Sequence, residues 1–166
     1  MERLWAPWRS QYVTSFAQPV EEAGSCFLCE AIQSGEERDA ELFIVARWES
    51  CFAILNRYPY NSGHVMIAPR RHAGLLEELT DQELCTLMLR IRELTEVLRR
   101  TLAPHGFNIG LNIGRAAGAG LPEHLHVHVV PRWHGDTNFL PVTADVKVVS
   151  HALEDVYEQL RAELHR

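Results

Sequence analysis

No apolar run among the 166 residues approaches the roughly 18 to 20 residues of a membrane span, so no membrane segment is expected. Basic charge is not in excess either. Sixteen Lys and Arg stand against 22 Asp and Glu, a net charge of −6, with a pI near 5.8. A non-specific nucleic-acid binder needs basic stripes, and this balance argues against nucleic acid as a partner. It leaves room for a small phosphorylated ligand, which requires only a few local donors. Four cysteines do not make a disulfide scaffold. Met1 to Arg9 carry charges where the apolar stretch of a secretory signal would lie. The expectation is a cytoplasmic chain with reduced thiols. At 46% hydrophobic and 23% charged residues, disordered and collagen-like classes are excluded. The length suits one domain that buries a core without staples.

The chain divides into an N-terminal arm, residues 1–25, and a single domain, residues 26–166. The arm carries Trp5, Trp8, Tyr12 and Phe16 without a sustained period. Short apolar runs predict strands at Leu42–Ala46, Phe52–Asn56, His64–Ala68, Phe107–Asn112 and His124–Val130. Asn61-Ser62-Gly63 reads as a turn. The clearest helix is Thr80–Leu102. Thr80 and Glu83 form a capping-box pattern. Leu84, Leu87, Met88, Ile91, Leu94 and Leu98 give one apolar stripe, and Pro104 and Gly106 end the helix. Leu153, Val156, Tyr157, Leu160 and Leu164 mark a C-terminal helix, and a shorter one is expected at Cys29–Gln33. Strands on both sides of one long helix predict an α+β fold with an antiparallel sheet, one face covered by that helix.

The chemistry concentrates in His124-Leu125-His126-Val127-His128, followed by Val129-Val130-Pro131. Alternation of this kind predicts a strand whose three imidazoles share one face while Leu125, Val127 and Val129 enter the core. Neighbouring rings would stand roughly 6.5 Å apart at the backbone and the outer pair roughly 13 Å. Two neighbours can therefore share a metal ion but three cannot easily do so, and the row suits a track with different tasks along it. A neutral imidazole is a good nucleophile near pH 7. The preceding loop, Asn112-Ile113-Gly114-Arg115-Ala116-Ala117-Gly118-Ala119-Gly120, lets backbone N–H groups, including those at Gly118 and Gly120, approach an anion. It is neither a Walker A loop nor a dinucleotide fingerprint, since no Gly-Lys-Ser/Thr follows and it leads into a strand. Cys26-Phe27-Leu28-Cys29 is compatible with a redox pair, two core thiols, or half of a zinc site. Cys51 and Cys85 read as core residues.

His124 to Val130 matches the signature of the histidine-triad (HIT) family, His-x-His-x-His followed by two apolar residues. Pro131-Arg132-Trp133-His134-Gly135-Asp136-Thr137-Asn138-Phe139 and Arg3-Leu4-Trp5-Ala6-Pro7-Trp8-Arg9 resemble the bacterial branch of diadenosine-polyphosphate hydrolases and phosphorylases. The resemblance spans nearly the whole chain. It implies a five-stranded antiparallel sheet with one long helix and a C-terminal helix, a homodimer, and an enzyme that transfers or hydrolyses nucleotides. By the same resemblance His126 is the nucleophile that attacks the α-phosphate, and His128 and Asn112 contact phosphate. Asn56 and His64 belong to the ribose-side pocket. The resemblance also supplies a structural zinc site on Cys26, Cys29, His72 and His124, with no metal required in the chemical step. In Gly120-Leu121-Pro122-Glu123 only Glu123 is polar, where many eukaryotic members carry Gln or Ser.

The function expected is cleavage of a phosphoanhydride or phosphoramidate at the α-phosphate. Dinucleoside polyphosphates such as diadenosine tetraphosphate are the substrates, and a covalent nucleotidyl-histidine is the intermediate. Two other classes compete: a zinc-dependent hydrolase using triad histidines as catalytic ligands, and a non-catalytic nucleotide-binding module.

Overall fold

The computed structural model describes residues 26–137 and 149–165. The expected arm, residues 1–25, and Asn138 and Phe139 of the tail motif lie outside the described residues. Five strands form one sheet: β1 (Ile44–Arg47), β2 (Cys51–Leu55), β3 (Val65–Pro69), β4 (Gly106–Leu111) and β5 (Val127–Arg132). Their order is β1-β2-β3-β5-β4, and every neighbouring pair is antiparallel. The helices are α1 (Phe27–Gln33), the short α2 (Asp39–Leu42), α3 (Asp81–Leu102) and α4 (Leu153–Leu164).

Period-2 alternation sends β2 to two cores at once. Cys51, Ala53 and Leu55 pack with Leu87, Ile91, Leu94 and Leu98 of α3 and with Val156, Tyr157 and Leu160 of α4. Phe52 and Ile54 pack on the other face with Leu28, Ala31 and Ile32 of α1. A strand buried on both faces reads as one continuous apolar run, which is what Cys51–Leu55 is. The buried carboxylate of Asp39 joins the edges of this arrangement. It accepts from Arg47 on β1 at 2.8 Å and from Arg161 on α4 at 3.4 Å, the pairing that a carboxylate in such a place requires.

α3 begins as its sequence prescribes. Thr80 Oγ1 accepts from the Glu83 N–H at 3.2 Å, and Glu83 Oε2 accepts from the Thr80 N–H at 2.8 Å. It ends at Ala103, in the left-handed region with φ 47°, before Pro104. Two stripe expectations are corrected. Met88 is 64% exposed, and Cys85 is exposed whereas Cys51 is buried. The inward row is Leu84, Leu87, Ile91, Leu94 and Leu98, and α3 turns the neighbouring row of Cys85, Met88 and Leu89 away from the sheet. Gly63 is required where it stands. Its φ is +72°, and a Cβ there would collide with the Leu102 side chain.

The last strand starts later than the alternation predicts. The β-ladder reaches only Val127, which faces Ile67 of β3 and Leu111 of β4. Before it, the Leu125 N–H donates instead to the Ala73 carbonyl at 2.6 Å, outside the sheet. The alternation of sides survives without the ladder: Leu125, Val127 and Val129 all enter the α3 core. His124 and His126 therefore sit on an extended approach to β5, and only His128 is on the strand itself.

Candidate active site

The three triad histidines are held by different partners, and each partner fixes which nitrogen carries a proton. His126 Nδ1 lies 2.8 Å from the His124 carbonyl oxygen. A carbonyl only accepts, so Nδ1 bears the hydrogen and Nε2 keeps its lone pair. His124 does the reverse. Its Nε2–H donates to the Pro69 carbonyl at 2.9 Å, which leaves Nδ1 as the lone-pair nitrogen. His128 takes its tautomer from the fully buried His64. The Tyr60 N–H donates to His64 Nδ1 at 3.1 Å, so His64 carries its proton on Nε2 and donates it to His128 Nδ1 at 2.9 Å. Neutral His128 is then left with an N–H at Nε2. Burial, with the neighbouring His126 adding to it, pushes the His128 imidazole down to about 4.

Two of these rings, His126 and His128, line a cavity of about 660 Å3. The His126 and His128 centroids are 4.9 Å apart. Asn56, Gly118, Gly120, His126 and His128 line the cavity, together with the apolar side chains of Phe27, Ala31, Leu42, Ile54, Met66 and Leu121 and the charged Glu30, Arg38 and Arg57, and Met66 stands directly opposite His128 in the sheet. Two of the expected residues are not among the lining side chains. His64 is fully buried and meets the cavity through its contact with His128. Asn112 follows the end of β4 and is also outside the wall. The glycine loop contributes walls, but the Gly118 N–H already donates to the Arg115 carbonyl at 2.9 Å inside the loop's own turn. Arg115 itself pairs with Glu123 at 3.8 Å, both side chains about half exposed.

The second cluster lies on the far side of His124. Cys26, Cys29, His72 and His124 bring one ligand atom each to within 4.8 Å of one another. His124 Nδ1 is 3.2 Å from Cys26 Sγ and 3.4 Å from Cys29 Sγ, and His72 Nδ1 is 3.2 Å from Cys29 Sγ. Burial, together with the hydrogen bond and charge of Cys26, pushes the Cys29 thiol up to about 11. Thiols packed so closely give up their protons when a cation compensates the charge. Two sulfurs and two imidazole nitrogens are a tetrahedral donor set for zinc, and the Pro69 carbonyl orients His124 as outer partners of metal-bound histidines do. His126 and His128 take no part in this cluster, and it is the only group of three or more such ligands among the described residues.

Sequence reasoning missed the aromatic and apolar parts of the cavity. Tyr60 stacks on His64 with centroids 4.8 Å apart and planes at 28°. Phe27 reaches the wall because α1 lies against the sheet. Asp136 is a further hub, accepting from Arg132 and from Asn61 Nδ2 at 2.8 Å, and it ties the turn before His64 to the end of β5. Only the position of Phe27 between the two cysteines was a usable signal.

Residues 37–135 match the HIT domain family, and the chain belongs to that family. An AP-4-A phosphorylase of Mycobacterium tuberculosis is 40% identical over the whole of this chain and 86% of its own length. Among solved structures, a hypothetical histidine triad nucleotide-binding protein from Sulfolobus tokodaii is 26% identical with a TM-score of 0.67, covering 84% of this chain and 92% of that one. A zinc-bound histidine triad family protein from Mycobacterium smegmatis is 25% identical with the same TM-score, covering 85% and 94%.

The depressed His128 gives a direct expectation. The ring stays neutral from pH 8 down to 5 and gains its proton only as pH falls towards about 4. A titration followed on its ring carbon by NMR checks this, and a midpoint at the ordinary histidine value near 6.5 contradicts it.

Proposed function

We propose that the protein cleaves dinucleoside polyphosphates at the α-phosphate through a nucleotide covalently held on His126. The observation that carries this reading is the His126 Nδ1–H to His124 carbonyl bond, which leaves Nε2 as a lone-pair nitrogen on a residue that lines the cavity. The apolar lining suits a nucleobase and Asn56 suits its ribose, and His126 in the same wall receives the α-phosphate. Nε2 attacks phosphorus, a P–N bond forms, and the P–O bond to the rest of the polyphosphate breaks. The His128 Nε2–H is a donor for the charge that builds on the phosphoryl group. In the second step an acceptor oxygen attacks the same phosphorus and the P–N bond breaks, restoring the imidazole. The phosphorylase relative supports inorganic phosphate as that acceptor.

Zinc held by Cys26, Cys29, His72 and His124 supplies a cross-link between the start of α1 and the approach to β5, and none of the steps above uses it. A catalytic metal on the triad finds little support, because only His124 among the three joins the ligand cluster. Among the described residues no disulfide joins the four cysteines, which supports a reducing, cytoplasmic setting. No described helix is long and apolar enough to cross a membrane. β4 is an edge strand with Ile109 and Leu111 exposed, and Met88 and Leu89 of α3 are exposed too. This apolar surface supports burial against a second copy of the chain.

Two experiments follow. Diadenosine tetraphosphate with phosphate is expected to give ADP and ATP, with a nucleotide trapped on the protein through an acid-labile, base-stable bond. His126→Asn is expected to lower turnover by about three orders of magnitude or more while nucleotide binding persists. Near-normal turnover in that variant would sink the covalent mechanism, AMP in place of ADP would identify water as the acceptor, and binding without turnover of the unsubstituted protein would indicate a non-catalytic module. The second is native mass spectrometry, which is expected to show a two-chain species carrying two zinc ions. Cys29→Ser is expected to lose the metal and melt at lower temperature, since metal binding and folding are coupled. A metal-free single chain with unchanged melting in the variant would contradict both assignments.

A further inference from the structure

Cleavage at the α-phosphate accounts for one nucleoside against the apolar lining of the cavity, but a dinucleoside substrate has two. The loop between β2 and β3 adds two aromatic side chains to the cavity lining. Tyr60 lies with its ring centroid 5.8 Å from that of His128. Tyr58, two residues earlier, also lines the cavity, yet its side chain is 87% exposed.

The backbone under Tyr58 is tied down from several directions. The Tyr58 N–H donates to Asn56 Oδ1 at 2.9 Å. The Asn56 N–H donates to the His64 carbonyl at 2.9 Å, and the His64 N–H to the Asn61 carbonyl at 3.2 Å. Asn61 Nδ2 donates to the Pro131 carbonyl and to Asp136. Pro59 restricts Tyr58 to extended backbone. These bonds fix where the exposed ring of Tyr58 is anchored, and its π face is open for a second planar ring to lie on. Base–aromatic stacking draws on any π face and is tolerant of sequence.

We propose that Tyr58 is the stacking platform for the second nucleoside, the one that departs with the leaving polyphosphate. This rests on the functional reading above and extends it from the reacting half of the substrate to the leaving half. The ligand class is a nucleoside joined through a polyphosphate chain to the nucleotide in the apolar cleft. Tyr58 is a specificity residue here. It discriminates dinucleoside from mononucleoside polyphosphates and takes no part in bond making.

The test compares two ligands that share the adenosine and all four phosphates but differ in the second nucleoside: diadenosine tetraphosphate and adenosine 5′-tetraphosphate. Their dissociation constants are measured in the His126→Asn background, where neither is consumed. Tyr58→Ala is expected to weaken the dinucleotide about tenfold and the mononucleotide less than about twofold, and Tyr58→Phe to stay within about twofold of Tyr58 for both. Equal weakening of both ligands by Tyr58→Ala, or weakening of neither, would overturn the platform. The two levels separate cleanly. If the unsubstituted protein does not cleave diadenosine tetraphosphate, the functional reading fails and takes the platform with it. If it cleaves the compound but Tyr58→Ala leaves the preference between the two ligands unchanged, the platform alone fails.

Discussion

The site is organised around His124, whose ring and backbone hold different groups. Its Nε2–H is committed to the Pro69 carbonyl and its Nδ1 faces the two cysteines, while its own carbonyl accepts the Nδ1–H of His126. One residue thus sets the geometry of the ligand cluster and the protonation of His126. The residue is fully buried, and burial lowers its affinity for a proton. A neutral imidazole with a free Nδ1 lone pair is the form a metal ion needs. Displacement of this one ring would disturb both neighbours, although they share no atom with each other.

From this arrangement follows the division of work along the triad. His124 faces sulfur, His126 keeps a lone pair in the cavity, and His128 takes its tautomer from His64 and Tyr60 behind it. The same alternation that places Leu125, Val127 and Val129 in the α3 core fixes the spacing of these tasks. α1 adds a physical link of another kind. It carries Cys29 in the ligand cluster and Phe27 in the cavity wall, so the cluster and the cavity share one short helix.

The alternation in His124–Val130 was legible because each side had a distinct destination, core or cavity. The start of β5 was not, since a ladder ends where its partners leave, and the departures of β4 at Leu111 and of β3 beyond Ile67 are tertiary facts. The capping box of α3 could be read from Thr80 and Glu83, which are local. Cys85 and Met88 were misplaced because the row they form is apolar too, and only the packing shows which row of the helix meets the sheet. Cys26 and Cys29 were visible as a pair, but their union with His72 and His124 came from the family resemblance, not from spacing. The place of His64 came from the resemblance, and its contact with His128 is a buried one between segments distant in sequence that no local pattern shows. Tyr60 and Asp136 carried no local signature at all, since their roles lie in a backbone N–H and in a hub between distant segments.

The account turns on proton placement in the neutral imidazoles, and that is measurable without substrate. Long-range 15N–1H correlation spectra of the metal-loaded protein at neutral pH report which ring nitrogen of each histidine bears hydrogen. The expected result is hydrogen on Nδ1 of His126 and on Nε2 of both His64 and His128. Hydrogen on Nε2 of His126 would remove the lone pair from the cavity and contradict the assignment of that residue as nucleophile.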